Sequence, residues 1–307
     1  MSTDELTVIT TYFNPYGFKS RKVNYDVFLK GIQDAGVRCL TIEWAMDGHD
    51  FELPEGPDVM HIRGNMLLWQ KERMINLAAA TLPDSCKYVA WLDADIIFEN
   101  TNWVADTLRV MKTCNVAQMF EVAENLPAPD AVNPAIEEHT SFASVVSKSK
   151  SVLYQNVYHI HGHTGYGWVA RKELFDKVGL YEYSITGSSD HYMAHAFVNV
   201  WSSGCLQIQM CRNENLFNHF VEWVERANEV IKGSLGVVPG RIKHLWHGAT
   251  PNRQYGQRNK VVNSLGFNPY TDLKIVPGEL IQWVDNFNKP MLANYFQYYF
   301  IGRLEDG

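Results

Sequence analysis

The densest chemical signal in the chain is Trp91-Leu92-Asp93-Ala94-Asp95-Ile96-Ile97-Phe98, where two carboxylates interrupt an apolar run. Buried without partners, each would cost several kcal/mol. They are therefore expected at the carboxyl end of a buried strand, where the chain leaves its sheet. At spacing i, i+2 on a strand they share one face. Two hard oxygen donors side by side suit Mg2+ or Mn2+, ions that hold phosphates. A pair of turn or cap acids is the plain alternative. Further on, His244-Leu245-Trp246-His247-Gly248 offers imidazole, which suits Mn2+ better than Mg2+. Arg253 and Arg258 each carry a planar fork able to grip a diphosphate through paired hydrogen bonds. Five apart, they share no clean helical face, and solvated surface arginines are the competing description.

A second histidine group invites a different chemistry. His159-Ile160-His161-Gly162-His163 would put three imidazoles on one face of a strand, as a zinc hydrolase does. His191 and His195 form an i, i+4 pair, but Tyr192 stands where a zinc-protease helix carries its Glu. His161 and His163 could equally line the mouth of a substrate cleft, or be ordinary core or surface residues.

Elements must position these groups. Residues 6–13 are β-branched and apolar and run into Asn14-Pro15-Tyr16-Gly17, a strand followed by a turn. Helical spacing over 23–35 stops at Gly36. Strands are expected at 37–44 and 58–63, a helix at 67–82 before Pro83, and one strand over 88–98 carrying both acids. A helix over 103–113 and a strand over 116–122 follow. This alternation predicts an α/β protein: a mainly parallel sheet with helices on both faces, binding ligands at the carboxyl ends of its strands. No Gly-x-Gly-x-x-Gly follows the first strand and no Walker A motif occurs, which leaves a nicotinamide dehydrogenase or a P-loop NTPase unsupported. Residues 123–151, with Pro127, Pro129 and Pro134 and then five serines, read as a long mobile loop, a lid or a bare surface excursion. Helices are expected near 171–178, 189–200 and 215–232, and a strand near 237–246.

Composition bounds the rest. The chain has 307 residues, 46% hydrophobic and 20% charged, enough apolar material for a large core. The net charge of −7 argues against a generally basic nucleic-acid binder. Five cysteines without a Cys-x-x-Cys read as free thiols in a reducing compartment. The first residues are acidic where a signal peptide would be basic, and no apolar run approaches the ~20 residues of a membrane helix. A cytoplasmic protein is expected, or one of the host cytoplasm if phage-encoded.

With these residues in hand, the chain resembles the GT-A-fold glycosyltransferases. Asp93-Ala94-Asp95 looks like their Asp-x-Asp signature. Trp69-Gln70-Lys71-Glu72-Arg73-Met74-Ile75-Asn76 resembles the segment that approaches the nucleotide, and Thr10-Thr11-Tyr12-Phe13-Asn14 the place where the first strand meets base and ribose. Gly165-Tyr166-Gly167-Trp168, Arg171, Phe175, Val178-Gly179 and Gly187-Ser188-Ser189-Asp190 follow in the family's order. One departure is Ser189-Asp190, where the family usually carries Glu-Asp.

The resemblance, spanning about residues 6–258, implies a single GT-A-like, Rossmann-related catalytic domain over 1–307. Its nucleotide-binding half would be 1–122, its loop 123–151 and its acceptor half 152–307. It implies a metal-dependent transfer of sugar from a nucleotide sugar, UDP-linked by expectation, to a hydroxyl. Mn2+ or Mg2+ would be held by Asp93, Asp95 and His247, with His244 as competitor. Thr11, Tyr12, Asn14, Lys71, Arg73, Asn76, Asp93, Arg253 and Arg258 would bind the donor. Gly167, Trp168, His161 and His163 would meet donor sugar or acceptor, and Asp190 would act as base. A saccharide acceptor is favoured. The alternative is hydroxymethylated DNA, as for phage-encoded sugar transferases, with Lys148, Lys150, Arg171 and Lys172 as a basic rim. The zinc hydrolase and a non-catalytic nucleotide-sugar binder are the other readings.

Overall fold

The computed structural model describes residues 3–132, 136–155, 157 and 160–307. The chain runs β1 (Leu6–Phe13), α1 (Lys19–Asp34), β2 (Arg38–Ala45), β3 (Val59–Arg63), α2 (Lys71–Ala79), β4 (Tyr88–Leu92) and β5 (Ile96–Phe98). Next come α3 (Trp103–Val110), β6 (Val116–Gln118), β7 (Val122–Asn125), β8 (Glu137–Thr140), α4 (Phe142–Lys148), β9 (Gly167–Arg171) and α5 (Lys172–Lys177). Then follow α6 (Ser189–Phe197), α7 (Gly204–Gln209), α8 (Glu214–Ile231), β10 (Leu235–Val237) and β11 (Arg241–His244). The C-terminal part holds α9 (Arg258–Ser264), α10 (Pro269–Asp272), β12 (Leu273–Lys274), β13 (Gln282–Trp283) and α11 (Pro290–Ile301).

Seven strands form one sheet in the order β10-β6-β9-β4-β1-β2-β3, parallel except for β9, which lies antiparallel between β4 and β6. Period-two alternation sorts its side chains onto two cores. Val8, Cys39, Ala90 and Val169 pack on one face with Phe28 and Ile32 of α1 and Leu108 of α3. Ile9, Leu40, Ile42, Trp91 and Trp168 pack on the other with Met74 and Ile75 of α2, α6 and α8. The architecture is thus the expected α/β one, a mixed, mainly parallel sheet covered on both faces.

Three strands expected as single runs are each broken in two. Residues 88–98 divide into β4 and β5, 116–122 into β6 and β7, and 237–246 into β10 and β11. The first member of each pair lies in the large sheet; the second joins a smaller sheet of order β5-β11-β7-β8. The chain therefore crosses from one sheet to the other three times along one line. Gly240, at φ +126 with Asn100 Cβ only 2.8 Å from where its own Cβ would stand, makes the last crossing. The acidic pair lies on the first crossing, so Asp93 and Asp95 occupy a turn and not one face of a strand.

The stretch expected as a mobile loop carries β8 and α4, and Phe142 of α4 is fully buried in the larger core. Ser141 caps α4 by accepting from the Ser144 N–H. Ser141 and Ser144 serve a helix start, which explains why composition alone suggested a loop. Pro134 lies outside the described residues. No helix among the described residues is long and apolar enough to cross a membrane. All five cysteines are free thiols.

Candidate functional site

A cleft of about 800 Å³ opens where the two sheets meet, lined by the turn after β4, the ends of β1 and β11, the start of α6 and the segments around 253–258 and 300–305. The first crossing, which carries Asp93 and Asp95, lines it directly, and β7 and β11 add their last residues, Asn125 and His244. Thr11, Asn14, Lys71, Asp93, Asp95, His163, Asp190, His244, His247, Arg253 and Arg258 all line it.

Asp95 is the hub of one group. Its Oδ2 lies 3.1 Å from His247 Nε2 and its Oδ1 3.6 Å from His244 Nε2. The register explains this closeness: His244 pairs with Ile96 across β11 and β5, directly beside Asp95. His244 also pairs with Asn125 of β7, whose Oδ1 is 3.2 Å from His244 Nδ1. Tyr166 donates its hydroxyl hydrogen to the same oxygen at 2.8 Å. With Nδ1–H engaged, the Nε2 lone pair of His244 turns to Asp95. Burial lowers the His244 pKa despite Asp95 and Asp93, favouring the neutral ring. Asp95 Oδ1 is buried and has no hydrogen-bond partner among the described residues. One carboxylate and two imidazoles, with an orphaned buried oxygen aimed at their centre, fit a borderline divalent cation such as Mn2+. His244 and His247 thus converge on the same point.

Asp93 belongs to a second group. Lys71 Nζ sits 2.6 Å from Asp93 Oδ1 and 3.3 Å from Asp190 Oδ2, bridging the turn after β4 to the start of α6. Burial alone would lower the lysine's pKa, but Asp190 and Asp93 together raise it and keep it charged. Burial raises the Asp190 pKa, opposed by Lys71 and reinforced by Asp93. Lys71 is therefore committed to two carboxylates, and Asp93 stands outside the Asp95–His244–His247 set.

The third group is a basic wall. Arg253 donates to both Nδ1 and the carbonyl of His247, which joins this wall to the Asp95 group. Arg258 donates to Tyr299 Oη at 2.9 Å and to Ser188 Oγ at 3.2 Å, and stacks over Tyr255. Two further members, Arg303 and Arg21, were not found from sequence. Glu305 binds both, with Arg303 Nε at 2.6 Å, and lies 3.8 Å from Arg253. One carboxylate faces three guanidiniums there, leaving the wall positive. Beside it, Asp306 accepts the Lys19 and Ser20 N–H groups at 2.9 and 2.8 Å, capping α1 from the far end of the chain.

Several expected site residues lie elsewhere. Thr11 and Phe13 face the cleft, so Tyr12 between them faces away; it is buried and donates to Glu52 at 2.5 Å. Lys71 and Met74 of α2 reach the cleft, whereas Arg73 and Asn76 lie on another flank of the helix. Arg73 binds the carbonyls of Glu279 and Val276 and the Glu182 carboxylate, and Asn76 binds Leu180 and Glu182. Both are braces for the fold. Trp168 is 1% exposed in the core, donating to the Thr164 carbonyl, so it stacks on no ligand. Gly167 pairs with Leu92 within the sheet, and an added Cβ would come 2.6 Å from Leu92 Cδ2. Gly165 and Tyr166 line the cleft in place of Gly167 and Trp168.

The expected histidine face is not formed. His163 stacks on Tyr166 at the cleft, while His161 is buried among His191 and His195. Gly162, at φ +81, turns the backbone between them. His159 lies outside the described residues. The proposed basic rim is also dispersed. Arg171 pairs with Tyr88 at the start of β4, the end of the sheet remote from Asp93, and is bound to Asn115 and Met111; Lys172 pairs with Asp176. Lys148 and Lys150 are exposed.

No family model matches the chain, and no curated protein matches it. Solved structures similar to it include the catalytic domain of Drosophila β1,4-galactosyltransferase 7 in complex with xylobiose. It is 10% identical, with 94% of this chain and 98% of that chain covered and a TM-score of 0.41. Another is glucosyl-3-phosphoglycerate synthase from Mycobacterium tuberculosis in complex with Mg2+ and uridine-diphosphate, 10% identical over 91% of this chain and 86% of that one, TM-score 0.40. A third is mannosyl-3-phosphoglycerate synthase from Rubrobacter xylanophilus, 12% identical over 90% and 83%, TM-score 0.40. The likeness is one of fold.

Proposed function

We propose that the chain is a glycosyltransferase that moves a sugar from a nucleotide diphosphate donor, UDP-linked, to a hydroxyl of a saccharide. The carrying observation is that one cleft joins a cation-type donor set, Asp95 with His244 and His247, to a guanidinium wall built on Arg253. A diphosphate is the ligand whose charge suits both at once. Asp95, His244 and His247 would hold Mn2+, which when bound stabilises the negative charge that develops on the leaving diphosphate. Arg253, Arg258 and Arg303 supply hydrogen bonds to the same oxygens. Thr11 and Asn14, at the carboxyl end of β1, meet the nucleoside, and Asp93 with Lys71 faces the donor sugar.

Asp190 is the base. Its carboxylate takes the proton of the acceptor hydroxyl as that oxygen bonds to the anomeric carbon. The bond from that carbon to the diphosphate oxygen breaks, and nucleoside diphosphate leaves. A single displacement of this kind inverts the anomeric centre. Lys71 holds the carboxylate in place, and burial raises its basicity. Trp246 and the exposed Tyr255 at the cleft supply flat apolar faces against which a saccharide ring packs.

A panel of nucleotide sugars, each offered with Mn2+ and with a chelator, tests the proposal. Metal-dependent release of UDP from a UDP-sugar, accelerated by a saccharide, is the expected result. Binding without any turnover would make the chain a nucleotide-sugar binder, and no Mn2+-dependent binding of any donor would refute the reading.

A further inference from the structure

We propose a second metal site, a closed structural zinc centre formed by His161, His191, His195 and Cys205. It is independent of the cleft chemistry. The four residues come from three places: His161 from the segment before β9, His191 and His195 from successive turns of α6, and Cys205 from the first turn of α7. Their exposures are 1%, 2%, 0% and 5%, and one potential ligand atom from each lies within 4.8 Å of all the others.

The separations suit a tetrahedron. Zn–S of about 2.3 Å and Zn–N of about 2.0–2.1 Å place a sulfur and a nitrogen about 3.6 Å apart. Cys205 Sγ lies 3.4 Å from His195 Nε2 and 3.9 Å from His191 Nε2. The Nδ1 atoms of two of the rings are held by neighbouring oxygens, which fixes how those rings face the cluster. His161 Nδ1 meets the Gly162 carbonyl at 3.0 Å, and His195 Nδ1 meets Ser203 Oγ at 3.1 Å and the Val200 carbonyl at 3.3 Å. Nε2 is then the ligand atom that each of these two rings would offer. Gly162 is required for this approach, because a Cβ at its φ of +81 would come 2.7 Å from the Ser141 carbonyl.

Three imidazoles and a thiol are a borderline-soft donor set that selects Zn2+ over Mg2+ or Ca2+. Zn2+ binding at Cys205 displaces the thiol proton to solvent. Four protein ligands leave no open position, which makes the site structural and not hydrolytic. Its place gives it a task. Asp190 immediately precedes His191, and His163 follows His161 by two residues, so the centre pins both flanks of the cleft to one point.

The test uses the full chain, purified without a histidine tag from zinc-supplied cells. Elemental analysis is expected to find one zinc per chain that survives dialysis, and Co2+ exchange to give a sulfur-to-cobalt charge-transfer band. Asp95→Ala retains both signals; Cys205→Ser loses the band. Should Cys205→Ser not fold, the wild-type cobalt spectrum decides. Folded wild-type protein that is free of zinc and gives no such band overturns the proposal, as does a band that survives in folded Cys205→Ser.

Discussion

Individual side chains in the cleft are separable by experiment. Asp190→Asn keeps the shape and an oxygen that can accept from Lys71 Nζ but removes the carboxylate's charge and basicity. Donor affinity by calorimetry is expected to hold while transfer falls by about 10²–10⁴. Unchanged turnover would remove Asp190 from the chemistry. Asn125 lines the cleft and holds the ring of His244 through its Oδ1. Asn125→Ala is expected to weaken Mn2+ binding about 10–100-fold, the usual effect of losing such a support, leaving metal-free nucleotide affinity alone. Glu72, beside Lys71 and 2% exposed, behaves differently. Burial, and then Asp190, raises its pKa from 4.5 to about 8. A carboxyl whose folded pKa is raised gives its full stability below the unfolded value and loses it as pH climbs to the folded one. The melting temperature of Glu72→Gln should therefore rise relative to the native chain between pH 4.5 and about 8. Parallel melting curves across that window would place the proton elsewhere.

Elements explain which parts of this were legible beforehand. Trp168→Ala illustrates the point. A buried indole that spans the larger core should cost about 3–5 kcal/mol by denaturant unfolding, with saccharide KM unchanged in the folded fraction. A raised KM at native stability would return Trp168 to the site. Sequence alone could not assign it, since an aromatic beside glycines reads alike whether it meets a sugar or a sheet neighbour. Strand β1 and the end of β4 were readable because apolar runs stop at Asn14 and at Asp93. The strand breaks were not, because the residues on either side of each crossing are equally apolar; only sheet membership changes. Arg73 and Asn76 carry the same polar signal whether they bind a nucleotide or brace residues 276–279 and 180–182. His161 and His163 share a face on any regular strand, and a single left-handed glycine parts them.

At the scale of the molecule, the cleft is assembled from both ends of the chain. The seven-stranded sheet is complete by Val237, yet the basic wall waits for Arg303 and Glu305. Removing residues 303–307 should leave the far-UV circular dichroism near native while Mn2+–UDP affinity falls at least about tenfold, ~1.4 kcal/mol. Native affinity in the shortened chain would show that Arg253 and Arg258 suffice. The cap on α1 carries a temporal consequence. Its acceptor, Asp306, is 286 positions downstream of the Ser20 N–H it binds. At about 5–20 residues per second of synthesis, the first helix stands on the ribosome for roughly 15–60 s before its cap exists. During translation the front of this molecule is provisional, its first turn uncapped until Asp306 has been made. A chaperone that engages the nascent chain has that whole interval in which to find the exposed first turn.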